Sequence, residues 1–508
     1  MSILRKPLRL IPFMIIISLI NFLCYHLPFF NFVFNNLEYK SLSGVTLVIS
    51  LVIAMVIANA FAYYLFYSIS IKLGKFLTVL FFIINSFAVY FVLTYGVIID
   101  ESMIGNILNT NYEESSSFFS FKLIAYVIVL GILPSIYVII AKVEKENLKR
   151  FSITSGLTLL FLLILVFVNA TNWLWIDKNS KTLGGLAMPW SYAVNTSLFY
   201  IHKSQKNQKE ILLPNATIKN NEKSVVVLVI GESSRKQDYS LYGYQKNTNP
   251  LLSKVENLQV YEATSCATYT TAGVKCILEH ENSNDLYEIL PNYLFRNNVE
   301  VVWRTTNSGE PPLHIKNVQN RDYLKAHYGA DNSDFDEVLV KGLKEQIVSS
   351  KQNKVLIVLH TSTSHGPLYS TRYPAKFEQF KPVCNSVELG NCSKEELLNA
   401  YDNTIVYTDF ILNSIIDDLK ELKDYKSSMI FVSDHGESLG EKNLYMHGVP
   451  MSMAPKEQYE IPFIVWSSDQ SKGYKPKQAL TQNNVFHSVL HFLDIDSPIY
   501  NEKMNIYR

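Results

Sequence analysis

Apolar residues dominate the first third of the chain and then break into short blocks. Five runs, at residues 10–30, 42–70, 75–99, 121–141 and 153–172, are long enough to cross a hydrocarbon core of about 30 Å as helices. Their length and density predict membrane spans rather than buried helices of a soluble core. The first run is too long for a signal sequence, lacks a small-residue cleavage site and is followed by four more, so it is expected to stay in the mature protein. Flanking charges set the orientation. Arg5, Lys6 and Arg9, then Lys72 and Lys75, then Lys142, Lys145, Lys149 and Arg150 mark inner loops, whereas Asp100, Glu101, Glu113 and Glu114 make an acidic outer one. An odd number of spans then delivers the C-terminal two thirds outside, which in a bacterial inner membrane is the periplasm.

Residues 173–223 carry Trp173, Trp175, Trp190 and Tyr192 among Asn and Lys, a composition that suits the headgroup level. They are expected to form a bridging strip along the membrane surface, between a transmembrane domain (1–172) and a catalytic domain (224–508). From residue 224 the pattern becomes SVVVLVIG, LQVYEATSC, VEVVWRT, KVLIVLH, SSMIFVSDHG and EIPFIVW, separated by helical stretches. Continuous Val/Ile/Leu strands without alternation are buried on both faces, so the fold expected is α/β with a mostly parallel central sheet.

The 508 residues carry a net charge of only +1, which excludes the basic surface of a nucleic-acid binder. Of five cysteines, Cys24 falls in the first run. The others form two close pairs, Cys266 with Cys276 and Cys384 with Cys392, on the side assigned as oxidising. Two short disulfide loops are the natural reading, with four free thiols the alternative.

Parallel sheets gather reactive groups where strands end. Here VVVLVIG is followed by Glu232, KVLIVLH ends at His360 with His365 soon after, SMIFVS precedes Asp434 and His435, and His447 lies in the next loop. Singly, GES reads equally well as a helix cap and SHGP as a turn. Together, carboxylates and imidazoles converging on one sheet edge are the ligands that zinc selects. In CATYTTAGVKC, Thr270 and Thr271 precede what reads as the start of a helix, where the dipole and backbone donors favour a phosphate oxygen. A bound metal would turn such a hydroxyl into a nucleophile; the bland alternative is a helix cap, and spacing alone does not choose between them.

VIGESSRKQDYSLYGY, TSCATYTTAGVKC, HTSTSHGPLYSTRYP and SDHGESLGEKNLYMHGVP, in that order, resemble the lipid A phosphoethanolamine transferases, the group that includes the mobile colistin resistance enzymes. The likeness spans nearly the whole chain. It implies a five-helix bundle joined to an alkaline-phosphatase-like (sulfatase-like) domain, with Thr270 as nucleophile and zinc held by Glu232, Thr270, Asp434 and His435. His365 and His447 match histidines that bind the donor phosphate or a second zinc. Asn106, Thr110 and Glu114 match the donor-headgroup segment, and Asn307 matches a further substrate asparagine. Where many members have an aspartate and a lysine after that asparagine, this chain has GEPP, and Glu310 is expected to substitute. Cys384 and Cys392 match a disulfide of the family, while a third bridge of some members is absent.

The implied reaction moves phosphoethanolamine from phosphatidylethanolamine, through an ester on Thr270, to lipid A or the lipopolysaccharide core, with resistance to polymyxin as its consequence; a monomer is expected. A phosphoglycerol transferase of the lipoteichoic acid synthase type, or a membrane-tethered phosphatase, are the rival readings. A sulfatase would need Cys or Ser in a C-x-P-x-R context, which the chain lacks. An inactive scaffold is disfavoured because every expected ligand is present.

Overall fold

The computed structural model describes residues 7–508, apart from 38, 111–114, 117, 170–171, 206–209, 330–333, 388, 470–472 and 477–478. Glu114 therefore lies outside the described residues. The chain forms two compact units, Met1–Gly105 with Phe119–Ile201, and Asn106–Phe118 with His202–Arg508.

In the first unit, Leu42–Ile69, Ile71–Tyr95, Phe121–Ile140 and Leu148–Val168 are long and apolar enough to cross a membrane. A fifth span results if Leu10–Tyr25 and Leu27–Asn36, bent by 62°, count as one. The apolar run predicted a single helix to residue 30, but Pro28 opens a new helix after His26, since proline cannot donate to the preceding turn. Gly96, left-handed at φ +72°, ends Ile71–Tyr95 short of the predicted boundary.

Buried amides knit these helices together. Asn21 Oδ1 accepts from Asn85 Nδ2 (2.9 Å) and from Tyr63 OH (3.3 Å). The bridging segment is mostly helical, Trp173–Leu186 and Trp190–Gln205, and belongs to this unit as far as Ile201. Two of its aromatic residues turn their polar tips to the spans: Trp190 Nε1 donates to Asn59 Oδ1 (2.9 Å) and Tyr192 OH to Asn85 Oδ1 (3.0 Å). In a hydrocarbon setting these amides have no water to fall back on, so aromatic partners satisfy them.

The second unit is built on eight strands: β1 (Ser224–Gly231), β2 (Leu258–Thr264), β3 (Glu300–Thr305), β4 (Asn317–Asn320), β5 (Lys354–His360), β6 (Lys426–Ser433), β7 (Glu460–Ser467) and β8 (Leu480–Thr481). Their spatial order is β8-β2-β7-β6-β1-β5-β3-β4. Only β7 runs against the rest, pairing antiparallel with both β2 and β6. Its Val/Ile content gave no hint of direction; it is reached from β6 through loops and short strands, without the long helix of a parallel crossover. Val225–Val229 of β1 and Val355–Leu359 of β5 are at most 1% exposed, as strands covered on both faces must be.

Register positions the chemistry. Ile230 pairs with both His360 and Val432, Gly231 with Ser433, and Thr305 with His360. The next residues along each strand, Glu232, Asp434, Thr306 and Thr361, therefore emerge together at one edge.

Replacing Asn85 by Leu removes two of the amide bonds within the membrane unit. It is expected to destabilise the protein by about 1–2 kcal/mol, read as a lowered thermal midpoint in detergent.

Candidate active site

Glu232, Asp434 and His435 meet in the interior, each at most 1% exposed. His435 Nε2 lies 3.4 Å from Glu232 Oε1 and 3.4 Å from Asp434 Oδ2. Its Nδ1 stands 2.8 Å from the Gly436 carbonyl, to which it donates, and Nε2 is the nitrogen turned to the two carboxylates. Asp434 Oδ1 accepts the backbone N–H groups of Ser233 (3.1 Å) and His435 (2.7 Å), whereas its buried Oδ2 has no hydrogen-bond partner. An orphaned carboxylate oxygen facing an imidazole nitrogen and a second carboxylate fits a cation.

Thr270 opens the helix Thr270–Leu278, whose cap position is Tyr269 and has no side-chain cap bond. The capping alternative is thus not realised. Thr270 Oγ1 turns instead to His435 Nε2 (3.3 Å) and to both oxygens of Glu232 (3.4 and 3.5 Å). The loop before it is held from three sides. Cys266 and Cys276 are disulfide-bonded, Thr268 exchanges hydrogen bonds with the Gly448–Val449 backbone, and Gln482 joins Cys266 N–H to the carbonyls of Ser433 and Asp434. Cys384 and Cys392 form the second disulfide.

His447 comes closer than its sequence position suggested. One ligand atom each of Glu232, His435 and His447 all lie within 4.8 Å of one another. The His447 and His435 rings are 4.2 Å apart, and those of His447 and His365 are 5.8 Å apart. His447 Nδ1 lies 3.3 Å from Glu437 Oε2 and 3.3 Å from Ser233 Oγ. Each of the three histidines precedes a glycine. His365 Nδ1 is fixed 2.8 Å from the Gly366 carbonyl, a Cβ on Gly436 would stand 2.0 Å from the Glu457 carbonyl, and Gly448 is left-handed at φ +87°.

Electrostatics follow from the crowding. Burial and the neighbouring Glu232 push the Asp434 carboxyl up to about 8. Burial opposes the charge on His435, yet Asp434 and Glu232 draw it up to about 10. Burial also works against Glu232, but the surrounding imidazoles, His435 foremost, hold it well below the usual carboxylate range. The pocket thus favours positive charge.

Asn307 approaches Glu232 rather than open space: its Nδ2 donates to Glu232 Oε2 (2.6 Å) and the Thr361 carbonyl (2.9 Å), and its Oδ1 accepts from Ser308 N–H. Glu310 faces His360 at 3.7 Å. Asn106 belongs to the second unit, and its Nδ2 lies 3.5 Å from where a Cβ on Gly448 would stand; the hydroxyl of Thr110 donates back to the Asn106 carbonyl (2.9 Å).

Sequence reasoning missed three supports. Ser233, left-handed at φ 51°, is pinned by Tyr401, whose hydroxyl donates to the Ser233 carbonyl (2.7 Å) and accepts Arg235 N–H (3.0 Å). Glu437, fully buried beside His447, is pushed up to about 8 by burial, against the pull of His435 and His365. Ser233 left a trace within GES, where it read as a helix cap, and Glu437 as the acid within SDHGES; Tyr401 left none.

A strand-end site of this kind, on a mostly parallel sheet carried by membrane-crossing helices, defines a membrane-anchored protein of the sulfatase-like class. The Sulfatase family profile matches residues 224–495, and that of Phosphoethanolamine transferase EptA/EptB matches residues 58–204. Phosphoethanolamine transferase EptA of Helicobacter pylori is 40% identical over 99% of this chain and 97% of its own. EptA of Escherichia coli K12 is 31% identical over 98% and 96%. The integral membrane lipooligosaccharide phosphoethanolamine transferase A of Neisseria meningitidis superposes with a TM-score of 0.88 at 25% identity, covering 97% of each chain. The chain belongs to the EptA family of phosphoethanolamine transferases.

Gly273 lets the threonine helix approach Asp434, since a Cβ there would stand 2.2 Å from the Asp434 carbonyl. Gly273→Ala is expected to force the helix outward and to destabilise the catalytic unit by about 1–3 kcal/mol in denaturant unfolding.

Proposed function

We propose that this protein transfers phosphoethanolamine from phosphatidylethanolamine to lipid A or the adjoining lipopolysaccharide core, through an ester on Thr270. The observation that carries this reading is the Thr270 hydroxyl, placed at a helix N-terminus and 3.3 Å from His435 Nε2. The names of its full-length relatives give the transferred group. In this reading the protein lies in the bacterial inner membrane with the catalytic unit in the periplasm, acts as a monomer, and confers resistance to polymyxin and other cationic peptides.

Glu232, Thr270, Asp434 and His435 are the residues that would hold one zinc ion, with His365 and His447 placed for the donor phosphate or a second ion. When bound, zinc lowers the cost of the threonine alkoxide and offsets charge on the phosphoryl oxygens. The chain's own groups do the rest. Asn307 keeps Glu232 aimed at the threonine, and the helix Thr270–Leu278 directs its first N–H groups at the phosphoryl oxygens. Thr270 Oγ1 gives its proton to the adjoining Glu232–Asp434–His435 cluster and forms a bond to phosphorus as the bond to the diacylglycerol oxygen breaks, and His365 or His447 supplies a proton to that leaving oxygen. The acceptor's phosphate or hydroxyl oxygen then attacks phosphorus, any proton on it passing to the histidine that protonated diacylglycerol, and the Thr270 oxygen leaves and takes back the proton held by the cluster. Asn106, Thr110 and Glu114 are assigned to the ethanolamine headgroup.

Membrane anchoring suits such a donor. Extracting a lipid costs about 0.8 kcal/mol per buried methylene, so chemistry at the surface avoids removing the acyl chains.

Full-length protein given labelled phosphatidylethanolamine is expected to gain the mass of phosphoethanolamine on the peptide containing Thr270, and Thr270→Ala is expected to lose both adduct and transfer, by at least about 10³-fold. An adduct on another peptide, or label taken only from phosphatidylglycerol, would sink this reading. Removing metal with a chelator is expected to abolish transfer, and adding zinc back to restore it.

A further inference from the structure

The strands that end at the site supply its reacting groups, but β7 runs the other way, so its beginning lies at the same edge. Glu457, Gln458 and Tyr459, the residues just before it, therefore enter among the site loops. Their backbone ties two of those loops down. Directly after His435, Gly436 N–H donates to the Gln458 carbonyl (2.9 Å) and Glu437 N–H to that of Glu457 (2.8 Å). In the approach to Thr270, Ser265 N–H donates to the Tyr459 carbonyl (2.9 Å).

The side chain of Gln458, fully buried, reaches the third loop. Its Nε2 donates to the Met446 carbonyl (3.1 Å) and to Ser438 Oγ (2.9 Å), two residues that face each other in a short antiparallel pair. Its Oε1 accepts Val449 N–H (3.3 Å). One amide thus grips the backbone on both sides of His447. That backbone needs support: Met446 is left-handed at φ +64° without being glycine, and a residue with a side chain keeps such a conformation only where its surroundings hold it. A carboxamide offers a donor and an acceptor side by side at that reach, whereas a glutamate would lose the donor and bury a charge.

Gln458 is therefore bonded through its backbone to the residue after His435 and through its side chain to Met446 and Val449 on either side of His447, and the two imidazole rings stand 4.2 Å apart. Resting on the part given to His447 above, we infer that Gln458 is a positioning residue of the reaction: it fixes His447 relative to His435, and so relative to phosphorus held at Thr270. It acts through that ring and touches none of the reacting atoms.

The test is the single-turnover rate at which full-length, zinc-loaded protein in detergent gains the phosphoethanolamine adduct from phosphatidylethanolamine, read by mass spectrometry for Gln458→Met, His447→Ala and the two combined. Gln458→Met keeps the side-chain length but loses donor and acceptor, and is expected to slow the adduct about 10–100-fold with zinc content unchanged. Added to His447→Ala it is expected to cost less than about two-fold more, because there is no ring left to hold. Ser438→Ala removes only an anchor of the Gln458 amide; it is expected to give a smaller loss with the same dependence on His447, and it replaces Gln458→Met if that variant does not fold. Crystals of the full-length variant are expected to show His435 in place and the His447 ring displaced by about 1 Å. Equal slowing with and without His447, a wild-type rate in Gln458→Met, loss of its zinc, or an unmoved His447 ring would overturn the inference. Failure of wild type to gain the adduct on Thr270 strikes the reaction assigned above instead, and the crystal comparison still decides whether Gln458 holds His447.

Discussion

Two carboxylates and an imidazole, all removed from water, converge within 3.4 Å at the end of the central sheet. Burying like charges so close is costly unless something positive shares the space, and most of the surrounding structure serves to keep them there. The parallel register of β1 and β6 sets Glu232 beside Asp434, and Ser233 N–H and Tyr401 fix the turn after Glu232. A hydroxyl brought to that cluster from a helix start gains both a basic neighbour and an electropositive one. That placement supports the proposal that Thr270 is the nucleophile.

Close backbone approach recurs around the cluster. Gly273 admits the Asp434 carbonyl, Gly436 admits that of Glu457, and Gln482 bridges the threonine loop to the end of β6. None of these contacts touches the reacting atoms. Each instead sets where a ligand stands, to within the few tenths of an ångström on which charge stabilisation depends.

The membrane spans and the strand-end residues were legible in the sequence, because long apolar runs and buried strands leave plain patterns. Pro28 broke the first run in a way the surrounding phenylalanines concealed. The direction of β7 was invisible, since a strand buried on both faces looks the same either way along. Capping and nucleophilic roles for Thr270 and Thr271 could not be separated by spacing, because one residue's uncertainty in a helix start exchanges cap and first turn; the fold puts Tyr269 at the cap. Asn307's hold on Glu232 and the Glu310–His360 pair join residues 75 and 50 positions apart, and only tertiary placement reveals them.

In the proposed reaction, activation of the threonine rests on one cation shared by groups from three separate stretches of the chain, at Glu232, at Thr270 and at Asp434 with His435. Anomalous diffraction at the zinc absorption edge, from crystals of the full-length protein, tests this most directly. A peak within bonding distance of Glu232, Thr270, Asp434 and His435 together is the expected result. A fully zinc-loaded, active protein whose peak lies elsewhere, with Thr270 outside the coordination sphere, would contradict it.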